Sequence, residues 1–179
     1  GGGRAALLQL AHPFVAHAIA EHSTVLSDIR GRFQRTLSSM FAMTFGDRAE
    51  ALRLSRSVYA MHKTVRGTLS EAEGAYAKGR AYSALNRSAM YWVAATLWDT
   101  SISLYEQLIG PLSMAEKEQY FSETKRFCRL FGLPADGMPS DWSSFRHYFD
   151  QTCNSSALHV GPVARNLATQ FRPDTASST

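Results

Sequence analysis

The sequence predicts an all-α fold of about six or seven helices. Apolar residues recur every three or four positions along most of the chain, a spacing that is typical of amphipathic helices. Glycine or proline follows most of these stretches, at the positions where helices end. The chain shows no convincing alternation of apolar and polar residues, so we predict no strand.

Each predicted helix is bounded by a capping residue or by a helix breaker. Pro13 lies inside the first stretch and predicts a kink or a break there. Ser27 or Asp28 is placed to cap the second helix, Asp47 the third and Ser140 the sixth. Residues 68–86 are predicted to be a loop, long enough to suggest a functional role. The predicted helices span about residues 4–21, 28–45, 48–66, 87–109, 114–131, 141–149 and 162–171.

The composition predicts a single helical domain, residues 1–172, followed by a loose polar tail at residues 173–179. Of the 179 residues, 45% are hydrophobic and 11% are aromatic, which is enough for a substantial core. Charged residues make up only 19%, below the usual quarter, so more side chains are available to line an interior. We therefore expect the helices to surround an apolar pocket.

The charge distribution narrows the class of ligand. The net charge is +4; residues 1–89 contain 12 Lys and Arg against 6 Asp and Glu, whereas residues 90–179 contain 7 against 9. This excess is too mild to indicate a nucleic-acid partner, but it suits a small anionic ligand bound by the first half. Two cysteines cannot form a disulfide framework, which predicts a reducing compartment and a cytoplasmic protein.

The sequence predicts no transmembrane segment, because no stretch approaches the roughly 18–20 uninterrupted apolar residues that a span needs. The N-terminus lacks a basic leader and a small-residue cleavage site, so it does not predict a signal peptide. The chain enters a helix almost at once, and we therefore expect that residues preceding Gly1 are missing.

The histidines are the first candidates for chemistry. His12, His17 and His22 are five residues apart. Steps of five separate side chains by about 140° around a helix, so these three do not converge on one metal, and we expect capping, core or surface roles. His62 has apolar residues on both sides at helical spacing. It is either a core histidine with a satisfied ring or an axial ligand for haem iron.

A polar cluster in the second predicted helix is the other candidate. Arg32 and Thr36 are one helical turn apart, and Arg35 lies beside Thr36. The cluster is either a solvated basic face or a polar corner beside an apolar pocket, able to bind carboxylates or an iron-bound oxygen. No carboxylate pair, nucleophile motif or phosphate-binding loop stands out in the sequence.

Short segments spread over most of the chain together form a recognisable pattern. They are residues 7–13 with Val15, Glu21-His22-Ser23, Arg32, Arg35-Thr36-Leu37, Phe45-Gly46-Asp47, residues 62–67, Tyr82-Ser83-Ala84, Trp92-Val93, Ala95-Thr96-Leu97, Pro111-Leu112-Ser113, Gly132-Leu133-Pro134 and residues 158–167. In order and spacing, they resemble the family of latex clearing proteins and mpaB-type oxygenases.

This resemblance implies an all-helical domain that holds one b-type haem. Characterised members cleave C=C bonds of isoprenoid chains with dioxygen, which implies a small apolar unsaturated substrate. The resemblance makes His62 the proximal iron ligand, and it makes Arg32 and Thr36 the catalytic polar pair near the haem. Arg35 stands where the rubber enzyme has a lysine that can cap the distal side of iron. A guanidinium is a poor iron ligand, so the resemblance implies water or an open position there.

Two other functions stay open at this point. One is a haem-binding sensor or carrier without oxygenase turnover. The other is a helical lipid-binding or interaction module that has lost the haem. His12 and His22 also match family positions, and we expect them to be architectural.

Overall fold

The computed structural model describes residues 2–22 and 29–170. The all-α prediction is confirmed: this part of the chain contains eight α-helices and one small two-stranded sheet. The helices are α1 (Gly2–Leu10), α2 (Pro13–His22), α3 (Ile29–Phe45), α4 (Arg48–Thr64), α5 (Arg87–Leu108), α6 (Met114–Cys128), α7 (Trp142–Cys153) and α8 (Pro162–Thr169). The strands are β1 (Arg66–Thr68) and β2 (Ala81–Ser83).

The predicted break at Pro13 is confirmed and separates two helices. α1 ends at Leu10, and α2 begins at Pro13, where a missing N–H costs nothing because the first turn has no partner for it. This division adds one helix to the predicted number. The predicted cap at Ser27 or Asp28 lies outside the described residues, as does the predicted tail at residues 173–179.

The capping residues decide where several helices begin. The backbone N–H of Glu50 donates to Asp47 at the start of α4, over 2.8 Å. The prediction that Ser140 caps the sixth helix is wrong: the neighbouring Asp141 accepts from the Ser144 N–H at 2.8 Å, and α7 continues to Cys153. The negative charge of the Asp141 carboxylate also suits the positive end of the helix dipole, which favours Asp141 over Ser140 as the cap.

The two strands correct a second prediction, that residues 68–86 form only a loop. β1 and β2 pair antiparallel, with Gly67 opposite Tyr82. A Cβ at Gly67 would lie 2.5 Å from the Tyr82 hydroxyl oxygen, so the close approach requires glycine. Strands of three residues are too short to show a period of two, and the sequence therefore gave no signal for them.

The largest apolar core lies around α5, as its many apolar residues predict. Trp92 of α5, Phe121 of α6 and Phe145 of α7 have no exposed surface. The indole N–H of Trp92 donates to the Leu8 carbonyl at 2.9 Å, which ties α1 to α5. Burial on this scale anchors α1, α5, α6 and α7 as one packed unit.

α3 and α4 form a helical hairpin that is far less buried than this core. Only Gly46 and Asp47 join the two helices, and the helices pack against each other. Among residues 31 and 34–64, whose burial is described, only Met43, Ala51 and Ser55 are buried. The hairpin therefore offers long helical faces that the rest of the described chain does not cover.

Candidate functional site

His62 lies in the last turn of α4 and is half-buried. Ala51, Val58 and His62 follow one another at spacings of seven and four, so they share one face of the helix. Burial lowers the pKa of the imidazole below its usual value. The ring is therefore neutral at pH 7, which is the form that binds iron axially.

His62 differs from the other histidines in the state of its ring. The rings of His12, His17 and His22 each have a hydrogen-bond partner within the protein. His147, on α7, and His159, which follows α7 in the chain, are both exposed. The His62 ring has no hydrogen-bond partner among the described residues. Its pKa is lowered by burial.

The α3–α4 hairpin carries all four of the residues predicted to hold the cofactor. Arg32 is 13 residues before the end of α3 and His62 is 14 residues after the start of α4, both about 20 Å from the turn. Thr36 lies one helical turn closer than Arg32 to the Gly46-Asp47 connection. Arg35 and Thr36 are exposed, whereas the side chain of Arg32 lies outside the description. The backbone thus places Arg32 and His62 at similar heights on neighbouring helices.

Large apolar side chains are exposed on the same hairpin. The exposed fractions are 45% for Leu37, 57% for Phe41, 45% for Tyr59 and 56% for Met61. Helical faces with several such side chains usually pack against a ligand, another protein or lipid. The apolar surface that a flat, hydrophobic cofactor needs is therefore present on both helices of the hairpin.

The segment that follows His62 is fixed to α2 by side chains. The His22 ring donates from Nε2 to the Arg66 carbonyl over 3.1 Å. The Tyr82 hydroxyl donates to Glu21 Oε2 over 2.5 Å, and Tyr82 lies against Gly67 in the sheet. These contacts hold β1, which begins two residues after α4, and so they restrain the end of the helix that carries His62.

His17 belongs to the same set of contacts and is buried. Its Nε2 donates to Glu73 Oε1 over 3.0 Å, and its Nδ1 lies 3.3 Å from Glu21 Oε1. Glu73 is 5% exposed, and a Cβ at Gly161 would lie 2.7 Å from its carboxyl carbon. The two glutamates were not among the predicted functional residues, and they tie α2 to the loop between the strands.

His12 caps the start of α2, and capping is one of the roles expected for this histidine. The Phe14 N–H donates to His12 Nδ1 over 3.2 Å, so the ring hydrogen is on Nε2, which lies 3.3 Å from the Tyr76 hydroxyl. Burial lowers the pKa of His12 from 6.5 to about 4. The folded state therefore holds His12 neutral under conditions where the unfolded chain would protonate it.

This buried histidine predicts a loss of stability in acid. The unfolded chain takes up a proton near pH 6.5 and the folded protein only near pH 4, so the free energy of unfolding falls as the pH drops through this window. Urea unfolding at pH 7.5 and pH 4.5 should show about 2–3 kcal/mol more loss for the wild type than for His12→Asn, which keeps a capping acceptor without a titrating ring. Equal losses in the two proteins would contradict this role of His12.

A charged cleft of about 530 Å³ lies elsewhere, between α1, α5, α6 and α7. Its floor includes Asp99, which is 4% exposed. Arg4 pairs with the Asp99 carboxylate at 2.6 Å and Arg146 pairs with it from α7, so Asp99 joins three helices. The residues that line this cleft do not include His62, and the charges in it are satisfied by one another.

The His, Cys, Asp and Glu side chains of the described residues limit the kinds of metal site that this part of the chain could form. In residues 2–22 and 29–170, no group of three or more His, Cys, Asp or Glu side chains could hold a metal ion. A haem needs only one axial histidine, because the porphyrin supplies the other four nitrogen ligands. His62 alone could supply the one protein ligand that a haem needs.

The fold and the site together define a mostly helical protein that offers one neutral histidine beside uncovered apolar surface. The chain belongs to the family described as "ER-bound oxygenase mpaB/B'/Rubber oxygenase, catalytic domain", whose model matches residues 1–177. Family membership supports an oxygenase-like function for the chain. No helix in the described part of the chain is both long enough and apolar enough to cross a membrane.

Similar curated proteins occur in two mycobacteria. Uncharacterized protein Mb2261 of Mycobacterium bovis is 24% identical over 165 residues, which cover 90% of this chain and 62% of the relative. Uncharacterized protein Rv2237 of Mycobacterium tuberculosis matches with the same identity and coverage. The chain thus spans about three fifths of the length of these relatives. No solved structure matches the chain.

Proposed function

We propose that the protein is a haem b-dependent oxygenase that cleaves C=C bonds of a small apolar unsaturated substrate with dioxygen. The observation that carries this proposal is the state of His62: half-buried, neutral and without a hydrogen-bond partner among the described residues. Membership of an oxygenase family gives this histidine a chemical context. The activity of the whole protein is part of the proposal, because the chain spans only part of its relatives.

The residues of the hairpin fit a haem in three respects. His62 offers a neutral imidazole that could bind the iron. Exposed apolar side chains at Leu37 of α3 and Met61 of α4 offer contact surface for the porphyrin. α3 contains three Arg and no Asp or Glu, which suits the two anionic propionates.

Each protein group has a distinct task in the proposed reaction. A bound haem supplies the iron that activates dioxygen. His62 would hold the cofactor from α4, on the helix face that it shares with Ala51 and Val58. Thr36 and Arg32 are the proposed catalytic groups, which donate hydrogen bonds to polar atoms of the reactants from α3. Arg35 would contribute positive charge beside the cofactor, and its guanidinium would not serve as an iron ligand.

The substrate class can be tested directly with an isoprenoid dispersed in detergent. The haem-loaded protein should consume dioxygen when squalene is added in detergent, and it should not do so with squalane, the saturated analogue. Cleavage of one C=C bond by one dioxygen gives two carbonyl groups, so mass spectrometry with ¹⁸O₂ should find one labelled oxygen on each new end. A haem-loaded protein that treats the two compounds alike would instead support a sensor or carrier without turnover.

A further inference from the structure

A basic stripe runs along one outer face of α4. Its members are five exposed side chains at spacings of four, four, three and four: Arg48, Leu52, Arg56, Tyr59 and Lys63. This spacing keeps all five within about 80° of one another around the helix, over a length of about 22 Å. His62 lies about 40° beyond the edge of the α4 stripe, on the side of the buried Ala51 and Ser55, so it is not itself a member of the stripe.

The stripe carries positive charge that the described protein does not neutralise. Arg48, Arg56 and Lys63 form no ion pair with any described residue. The acidic residue of α4, Glu50, lies off the stripe, with its carboxylate 3.9 Å from Arg53. The 3-10 turn Arg129–Phe131 packs against α4 and adds an exposed Arg129. The α4 stripe therefore presents several cations and no acidic side chain.

Apolar side chains are interleaved with these cations. Leu52 and Tyr59 lie within the stripe and are 36% and 45% exposed. At the turn of the hairpin, Phe45 is 77% exposed and Phe41 is 57% exposed, with their ring centroids 5.4 Å apart. A helix that alternates cations with aliphatic and aromatic side chains has the chemistry of a surface that lies on a bilayer.

We propose that the α4 stripe docks the protein on an anionic lipid surface. Arg48, Arg56 and Lys63 would pair with lipid phosphates, while Leu52, Tyr59 and the nearby phenylalanines would enter the interfacial region. Nucleic acid also presents phosphates, but it would leave the aliphatic and phenyl groups of this hairpin without an apolar partner, and the net charge of the chain is only +4. The proposal does not rest on haem binding, and the cofactor-free protein is sufficient to test it.

The test is co-sedimentation of the purified chain with vesicles of phosphatidylcholine that contain 30% phosphatidylserine, beside vesicles of phosphatidylcholine alone. We expect binding to the anionic vesicles only, and release at 0.5 M NaCl. The variant Arg48→Gln/Arg56→Gln/Lys63→Gln should bind about 100-fold more weakly, because each lost charge weakens binding about five-fold. The salt dependence of the wild type tests the electrostatic part without any substitution.

A matched variant separates the stripe from net charge. Lys78→Gln/Arg87→Gln/Arg165→Gln also removes three exposed positive charges, but from other parts of the surface, and it should bind within about two-fold of the wild type. Circular dichroism establishes that both variants are folded. Equal losses in the two variants, equal binding to neutral vesicles, no binding to vesicles, or a preference for a single-stranded RNA oligonucleotide over anionic vesicles would each overturn the proposal.

Discussion

Replacement of His62 by alanine is expected to abolish stable haem binding. Loss of a residue that only hydrogen-bonds a metal ligand already costs about 10–100-fold in metal affinity, so loss of the iron ligand itself should cost more than about 100-fold in haem affinity. The neutral ring of His62 makes no hydrogen bond within the described protein. The alanine substitution therefore breaks no hydrogen bond between described residues. Gel filtration after incubation with haem should show haem co-eluting with the wild type and not with His62→Ala.

The control for this prediction is another histidine on the same chain. His147 is exposed on α7, and His147→Ala should retain haem at the wild-type level. Added imidazole should restore binding to His62→Ala, because the free ligand can enter the space that the side chain leaves. If His62→Ala holds haem as tightly as the wild type, another residue binds the iron and the assignment of His62 is wrong.

Replacement of His17 by alanine is expected to destabilise the fold by about 3–5 kcal/mol. Glu73 is 5% exposed, and its Oε1 accepts from His17 over 3.0 Å, while its Oε2 is buried without a recorded hydrogen bond. Without His17, this carboxyl group would be left buried with no hydrogen-bond partner, which is among the most costly changes in a protein interior. Urea unfolding followed by circular dichroism measures the loss.

A double-variant cycle tests the physical reason for this loss. Glu73→Gln removes the charge and keeps the volume, so His17→Ala/Glu73→Gln should be more stable than the sum of the two single losses predicts. If the losses are simply additive, the destabilisation comes from the cavity at His17 and not from the unpaired carboxyl group. Because His17 lies on α2 and Glu73 in the loop between the strands, a non-additive loss would show that this pair stabilises the contact between the two.

The elements that could be predicted from sequence are those with local signals. Pro13 and Asp47 each determine a helix boundary through the chemistry of one or two neighbouring residues. Where two competent caps stand side by side, as at Ser140 and Asp141, the sequence alone does not distinguish them. The strands escaped prediction because Gly67 and its partner Tyr82 make contact across 15 residues, and nothing local records this pairing.

The same distinction separates the parts of the candidate site. His62 could be proposed from the sequence because its apolar neighbours lie on its own helix, and Arg32 and Thr36 because they belong to one short motif on another. The supporting contacts were missed because they join distant positions: His17 to Glu73 across 56 residues, and Tyr82 to Glu21 across 61. Such contacts depend on how helices pack, and helical periodicity carries no information about them.

The absorption spectra of the wild-type chain and His62→Ala, each mixed with one equivalent of haem, show directly whether His62 binds the iron. We expect a sharp Soret band with the shape of a histidine-ligated haem for the wild type, and the broad spectrum of free haem for the variant. A wild-type protein that leaves the spectrum of free haem unchanged would contradict haem binding at His62.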